Sequence, residues 1–222
     1  MIEIILGGVV SIIHYFSENV FFKFKRHFEK ISSFSAGIAL TYIILHLFPF
    51  FSEGANEINE FLFLSVLIGF LFFHLIEKVI YRKAAKDSLQ KDLAAEDSAV
   101  SFLYHFLVGI LMVSFFEKGF QDGILFFIPI LFYTGTSVMT VDITPNQFIK
   151  AGLALSTFIG AIFGKYFYVL SQEGLYAFLG FIIGALLFTV TRHSIPGGNK
   201  GEPFFFTMGI VFYSIILYVV LL

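Results

Sequence analysis

Histidine is the residue type to begin from, because this chain sets most of its six histidines in apolar surroundings. His46 stands three residues before Pro49, within Ser33-Phe-Ser-Ala-Gly-Ile-Ala-Leu-Thr-Tyr-Ile-Ile-Leu-His-Leu-Phe-Pro-Phe-Phe51. A ring nitrogen in hydrocarbon needs a hydrogen-bond partner, a metal or a water-filled cavity, so a histidine there is a functional candidate. The plain alternative for His46 is a hydrogen bond to a neighbouring helix carbonyl. His14 falls midway along the first apolar stretch, and His105 about two turns inside the fourth, with Ser101, Gly109 and Met112 on its helical face. His74 and Glu77 are spaced i, i+3 and share a face, near a polar end where Glu77 could also meet Lys78 or Arg82 in water. Tyr133-Thr134-Gly135-Thr136-Ser137 and Thr140 add hydroxyls, which either line a polar wall or bond their own helix carbonyls. His193 beside Arg192 fits a boundary position with the charge snorkelling to water. These residue types allow metal coordination or contact with a small polar solute. With no cysteine, thiolate metal sites, disulfides and thiol redox chemistry are excluded.

The elements that must position these groups are membrane elements. The 222 residues are 58% hydrophobic, 19% aromatic and only 14% charged, where a soluble domain averages about 25% charged. A net charge of −2 and the lack of a basic arm leave no nucleic-acid partner to expect. There are 33 Phe and no Trp, so interfacial aromatics must come from Tyr and Phe. Met-Ile-Glu-Ile-Ile has no cationic start and no small-residue cleavage site follows, so the first stretch reads as a transmembrane helix and not as a removed leader.

Eight apolar spans are expected, at 2–22, 33–51, 61–81, 99–116, 123–141, 148–170, 175–191 and 204–222, each long enough for a helix at about 1.5 Å per residue to cross a bilayer. Twelve cations fall in the loops on one side and only Lys118 and Lys165 on the other, where 52–60 is purely acidic. The positive-inside rule then puts both termini outside the cytoplasm. The expectation is an all-α, polytopic membrane protein of one domain, residues 1–222, in the cell (inner) membrane. Residues 81–98 form a partly helical cytosolic connector between the third and fourth spans, whose Ala, Leu, Lys and Glu content suits a helix. Gly152, Ser156, Gly160 and Gly164 in span six, and Gly180 and Gly184 in span seven, are stripes for close helix packing. Their main use is expected inside the bundle, with a homodimer contact the other use open to them.

Taken in order, these features resemble the ZIP (Zrt/Irt-like) metal transporters. The resemblance covers most of the chain: eight helices, outer termini and the longest loop cytosolic after helix three. Helix two reads Gly37-Ile-Ala-Leu…His46-Leu-Phe-Pro49, similar to the family's small-residue run followed by His-Leu-x-Pro-Glu. Helix three ends Phe73-His74-Leu-Ile-Glu77-Lys78, like the family's Glu-Lys, and Leu187-Phe188…His193-Ser-Ile-Pro196 is similar to its second Pro-Glu turn. The resemblance implies a transporter for a divalent metal of the zinc kind, carried as substrate between helices four and five.

The departures fall on the ligands. Against the family's His-Asn-x-x-Asp/Glu-Gly, His105 is kept, but Phe106 stands for the Asn and Gly109 for the acid. Aligned on Pro129, Phe126 and Phe127 replace His-Glu and Ile130 replaces the second His; both Pro-Glu turns lose the acid, to Phe50 and Gly197. One imidazole without carboxylates is a poor zinc site, since zinc takes about four N, O or S ligands. Gly119-Phe-Gln-Asp122-Gly123 looks like the helix-four core with Lys118 for the His, but position and charge alternation make it the outer turn between spans four and five. Two functions stay open: a divergent ZIP-like transporter of a metal or other small solute using His105, His46, His74 and Glu77, and a ZIP-fold protein that has lost transport and serves as a regulatory, structural or partner-binding subunit. No nucleophile-base pair, phosphate loop or acidic pair at catalytic spacing points to an enzyme.

Overall fold

A computed structural model of the chain describes residues 1–24, 27–83, 89–136, 147–167, 171–191 and 201–221. Among them every regular element is a helix: α1 Ile2–Phe24, α2 Phe28–Tyr42, α3 Phe48–Ile58, α4 Phe63–Lys83, α5 Leu89–Lys118, α6 Phe120–Thr136, α7 Gln147–Tyr166, α8 Gln172–Thr189 and α9 Pro203–Leu221. α2 and α3 are one rod joined by a π-turn, Ile43–Leu47, in which the Phe48 N–H reaches the Ile43 carbonyl. Pro49 accounts for the wide turn. It offers no N–H, and its ring presses on the carbonyl four residues back, so the preceding helix opens to let it pass.

Among the described residues, six helical stretches are long and apolar enough to cross a membrane: Glu29–Ile58, Glu60–Val79, Ser101–Lys118, Gln147–Tyr166, Gln172–Thr189 and Pro203–Leu221. Ile2–Ser17 in α1 is a shorter apolar stretch, and α6 has 17 residues. The surface confirms the solvent these helices expect. Leu67, Ile68 and Leu75 of α4 and Ile215, Tyr218 and Val219 of α9 are all exposed, a greasy exterior that water would not tolerate over such an area. The chain is an integral, multi-pass membrane protein.

The bundle is assembled from close helix pairs. α5 packs along α7, α4 along α8, α2 along α9, and α1 along α7, with α6 lying against α1, α2 and α5. Glycine makes the α5–α7 contact: a Cβ on Gly109 would strike the Thr157 carbonyl, and one on Gly160 the Phe106 carbonyl. Gly184 meets the α4 backbone at Val66 in the same way. The stripes of spans six and seven are therefore used, at Gly160 and Gly184, within the bundle; Gly152 has open space beside it.

Polar side chains collect at the two ends. At one, Lys165 at the close of α7 pairs with Glu117 of α5 at 3.0 Å and Glu3 of α1 at 3.2 Å, while Asn59 before α4 donates to Glu173 of α8 at 3.2 Å. At the other, the Lys150 ammonium of α7 lies over the Tyr15 ring of α1, and Ser33 of α2 accepts the Glu202 N–H that precedes α9, 3.1 Å away.

One sequence expectation changes. The α5–α6 reversal is made at Gly119 alone, so Asp122 and Gly123 belong to the first turn of α6 and not to a loop. The turn is tight because Gly123 lets the Phe116 ring lie against the α6 backbone. The 81–98 connector is helical at both ends, as the tail of α4 to Lys83 and the start of α5 from Leu89; 84–88 lies outside the described residues.

Candidate functional site

His105 is positioned by its own helix and two neighbours. Its Nδ1 lies 2.8 Å from the Ser101 carbonyl, one turn earlier in α5. A carbonyl only accepts, so Nδ1 carries the proton and Nε2 holds the lone pair. Thr134 of α6 donates to that Nε2 across 3.4 Å, and the Ser101 hydroxyl is also 3.4 Å from Nδ1. His105 is 2% exposed and Thr134 fully buried. The face of the His105 ring is covered by His14 of α1, stacked at 4.2 Å between centroids and 24° between planes. Beside the pair, Tyr104 stands edge-on to His105 at 4.9 Å and to Tyr133 of α6 at 5.7 Å.

This is a polar cluster held between α1, α5 and α6, and its geometry limits its chemistry. Stacked imidazoles hold their nitrogens in parallel planes, so their lone pairs do not converge on one point. His105 has both nitrogens in hydrogen bonds, and among the described residues no carboxylate joins them. Among the described residues no group of three or more His, Asp or Glu is placed to hold a metal ion. The cluster can donate, accept and relay protons to a polar molecule, but it is not a tetrahedral zinc site as it stands.

His46 belongs to a different neighbourhood. It sits in the π-turn, nearly buried, with its ring 5.5 Å from Tyr42. Tyr42 in turn contacts Phe126 of α6 and Tyr213 of α9. His46 Nε2 has no hydrogen-bond partner, nor have His14 Nδ1, Tyr42 Oη and Tyr104 Oη; Ser35 and Thr157 hydroxyls are the other two such atoms among the described residues. A buried polar atom without a partner costs about 1–3 kcal/mol, so each of these needs a reason to persist.

One residue of this region gave no warning in the sequence. Pro129 cannot donate to the Leu125 carbonyl four residues before it, and the Tyr213 hydroxyl of α9 donates to that oxygen instead, at 2.6 Å. A proline inside an apolar span does announce a free carbonyl; which distant donor takes it depends on how α9 packs.

The remaining expected residues are dispersed. His74 is exposed on α4 beside Phe70 and Phe188, whereas Glu77 is buried. Neither joins the His14–His105 cluster. Phe106 packs on Phe163 of α7 and Gly109 on the α7 backbone, so both face α7 and not α6. Phe126 is fully buried and stacked on Phe115 of α5 at 4.8 Å, Ile130 is buried next to it, and Phe127 is half-buried. Phe115 also walls a cavity of about 220 Å³ between α3, α5 and α8, where the Lys118 ammonium lies 3.7 Å above the Phe50 ring. Thr136 bonds the Phe132 and Tyr133 carbonyls of its own helix. Ser137, Thr140, His193 and the Pro196-Gly197 turn lie outside the described residues.

The fold and this cluster define a class, a multi-pass helical membrane protein with a histidine-hydroxyl centre. Compared with protein-family models and with curated proteins, the sequence matches none.

Proposed function

We propose that this chain is a membrane transport protein of ZIP-like design, with eight crossings and both termini outside the cytoplasm. It moves a small solute through the region of α5 and α6, and a divalent metal of the zinc kind is one cargo to test. The single observation that carries this reading is the His14–His105 stack with Thr134 beside it, in which His105 and Thr134 are buried inside the bundle. Polar and ionisable groups at membrane depth are costly and mark solute or ion routes by default. Support for the crossings comes from the alternation of cationic and acidic loops, and from helix ends that gather at two opposite ends of the bundle. The donors favour a weakly held cargo, because among the described residues neither a carboxylate nor a second converging imidazole stands with His105 to bind a metal tightly.

The test is uptake by proteoliposomes from a panel of divalent metals and small neutral solutes. At least one cargo should accumulate above protein-free liposomes, and His105→Ala with His46→Ala should abolish that uptake. Unchanged uptake in the double variant removes both residues from the mechanism.

A second reading is favoured by one specific contact, the Phe115–Phe126 stack, which packs a ring at one of the positions (Phe126, Phe127, Ile130) where the resemblance would put the family's ligands. On this reading the protein keeps the scaffold without transport and serves as a regulatory or structural partner. Absence of flux for every member of the panel, with a melting temperature indifferent to zinc, selects it.

A further inference from the structure

Lys118 and Lys165 are the two cations that the sequence places on the acidic side, and the structure uses them differently. Lys165 is held by Glu117 and Glu3, at 3.0 and 3.2 Å. Lys118 has one acidic neighbour among the described residues, Asp122 at 3.8 Å, which is beyond hydrogen-bond reach. Its ammonium stands instead over the Phe50 ring, at the cavity of about 220 Å³ between α3, α5 and α8. The wall of that cavity changes character with depth. Lys118 closes α5 and Gln172 opens α8, and both are exposed. Leu111 and Leu179 lie seven positions along each helix, about 10 Å deeper at 1.5 Å per residue, and are 1% and 2% exposed. Between these levels stand three rings, with Phe50 at 5.5 Å from Phe115 and 5.7 Å from Tyr176. Among the described residues Lys118 is the one charged side chain on this wall.

One cation at the mouth of an apolar, ring-lined wall selects an anion with an apolar body. A cationic ligand would have to displace the Lys118 ammonium from Phe50, and a neutral one would leave that ammonium without a counter-charge. The ammonium offers three N–H donors, and Gln172 brings amide donors to the same level of the wall. Volume then sets the size of the body. An apolar cavity of about 150 Å³ takes benzene, so one of about 220 Å³ takes a single six-membered ring with a short arm. Aromatic rings pair offset or edge-on with centroids about 4.5–7 Å apart, the spacing that the three wall rings already keep among themselves. We propose that this cavity is a binding site for an aromatic monocarboxylate, with the carboxylate on Lys118 and the ring among Phe50, Phe115 and Tyr176. No residue of the His14–His105–Thr134 cluster lines it, so the site stands or falls apart from the transport reading.

The probe is radiolabelled 3-phenylpropionate, and its equilibrium binding is measured on the full chain in phosphatidylcholine nanodiscs. Wild type should bind it saturably. The neutral 3-phenylpropionamide and the cationic 3-phenylpropylamine should each compete at least about tenfold less well than unlabelled probe, since they lack the charge-assisted hydrogen bond. Lys118→Met keeps an apolar stem and loses the charge, and should weaken binding about tenfold or more; Lys118→Arg keeps the charge and should stay within about threefold of wild type. Ser114→Leu puts a branched side chain into the middle of the cavity and gives up only the 3.5 Å bond from its hydroxyl to the Ile110 carbonyl. It should abolish saturable binding with a melting temperature near that of wild type. Wild type without saturable binding, equal competition by the amide, or wild-type affinity in Lys118→Met or in folded Ser114→Leu overturns the proposal. Octanoate competing more strongly than unlabelled 3-phenylpropionate overturns it as well, and gives the cavity to an acyl chain.

Discussion

The contact between α5 and α6 is built from two different chemistries at its two ends. Near Asp122 it is dry: Phe115 lies flat on Phe126, with Ile130 filling the next turn. Near Thr134 it is polar: His105, Thr134, Tyr104 and Tyr133 meet there, and α1 brings His14 onto the stack. The dry end gains stability from close packing of large rings. The polar end gives some of it up, since His14 and Tyr104 each leave a buried atom unpaired. Proteins keep such groups where they are used, so on the proposed reading the difference separates a seal from a working surface along one helix pair.

The largest effect should come from breaking the frame that holds both ends. Gly160→Leu would drive a side chain into the Phe106 carbonyl and separate α5 from α7; the expected outcome is loss of folded, monodisperse protein on size-exclusion chromatography. Next comes the seal. Phe126→Ala should cost about 3–5 kcal/mol of stability, the usual loss for emptying a buried aromatic site, read by reversible unfolding in mixed micelles. Tyr213→Phe should cost about 1–3 kcal/mol by leaving the Leu125 carbonyl unpaired. Pro129→Ala restores a backbone donor to that carbonyl, so the double variant should recover part of the loss. At the polar end, a double-mutant cycle on His14→Ala and His105→Ala should show a coupling of about 0.5–1.5 kcal/mol, as stacked ring pairs do. The smallest effect belongs to His74→Ala on the exposed face of α4, within about 0.5 kcal/mol of wild type.

Much of the fold was legible because hydrocarbon demands long apolar runs. Spans such as 148–170 and 175–191 coincide with α7 and α8 to within a few residues over the described part of the chain, and the glycine stripes announced close backbones. What sequence could not supply was helix rotation. Gly109 and Phe106 stand where a ligand-bearing face was expected, yet α5 turns them toward α7. His74 and Glu77 share a helical spacing, yet one is exposed and the other buried. His105 was legible as a candidate, but its partner was not: His14 is 91 residues earlier, and nothing local records that α1 lays its ring on α5. The π-turn at His46 was half legible, since Pro49 guarantees a disturbance without fixing its form.

The most direct measurement is initial uptake of the best cargo by proteoliposomes carrying wild type, His14→Ala, His105→Ala or His74→Ala, with equal amounts of folded protein. Loss of uptake in the first two variants and wild-type uptake in His74→Ala is the expected result. Wild-type uptake by His14→Ala and His105→Ala would contradict a working role for the imidazole stack.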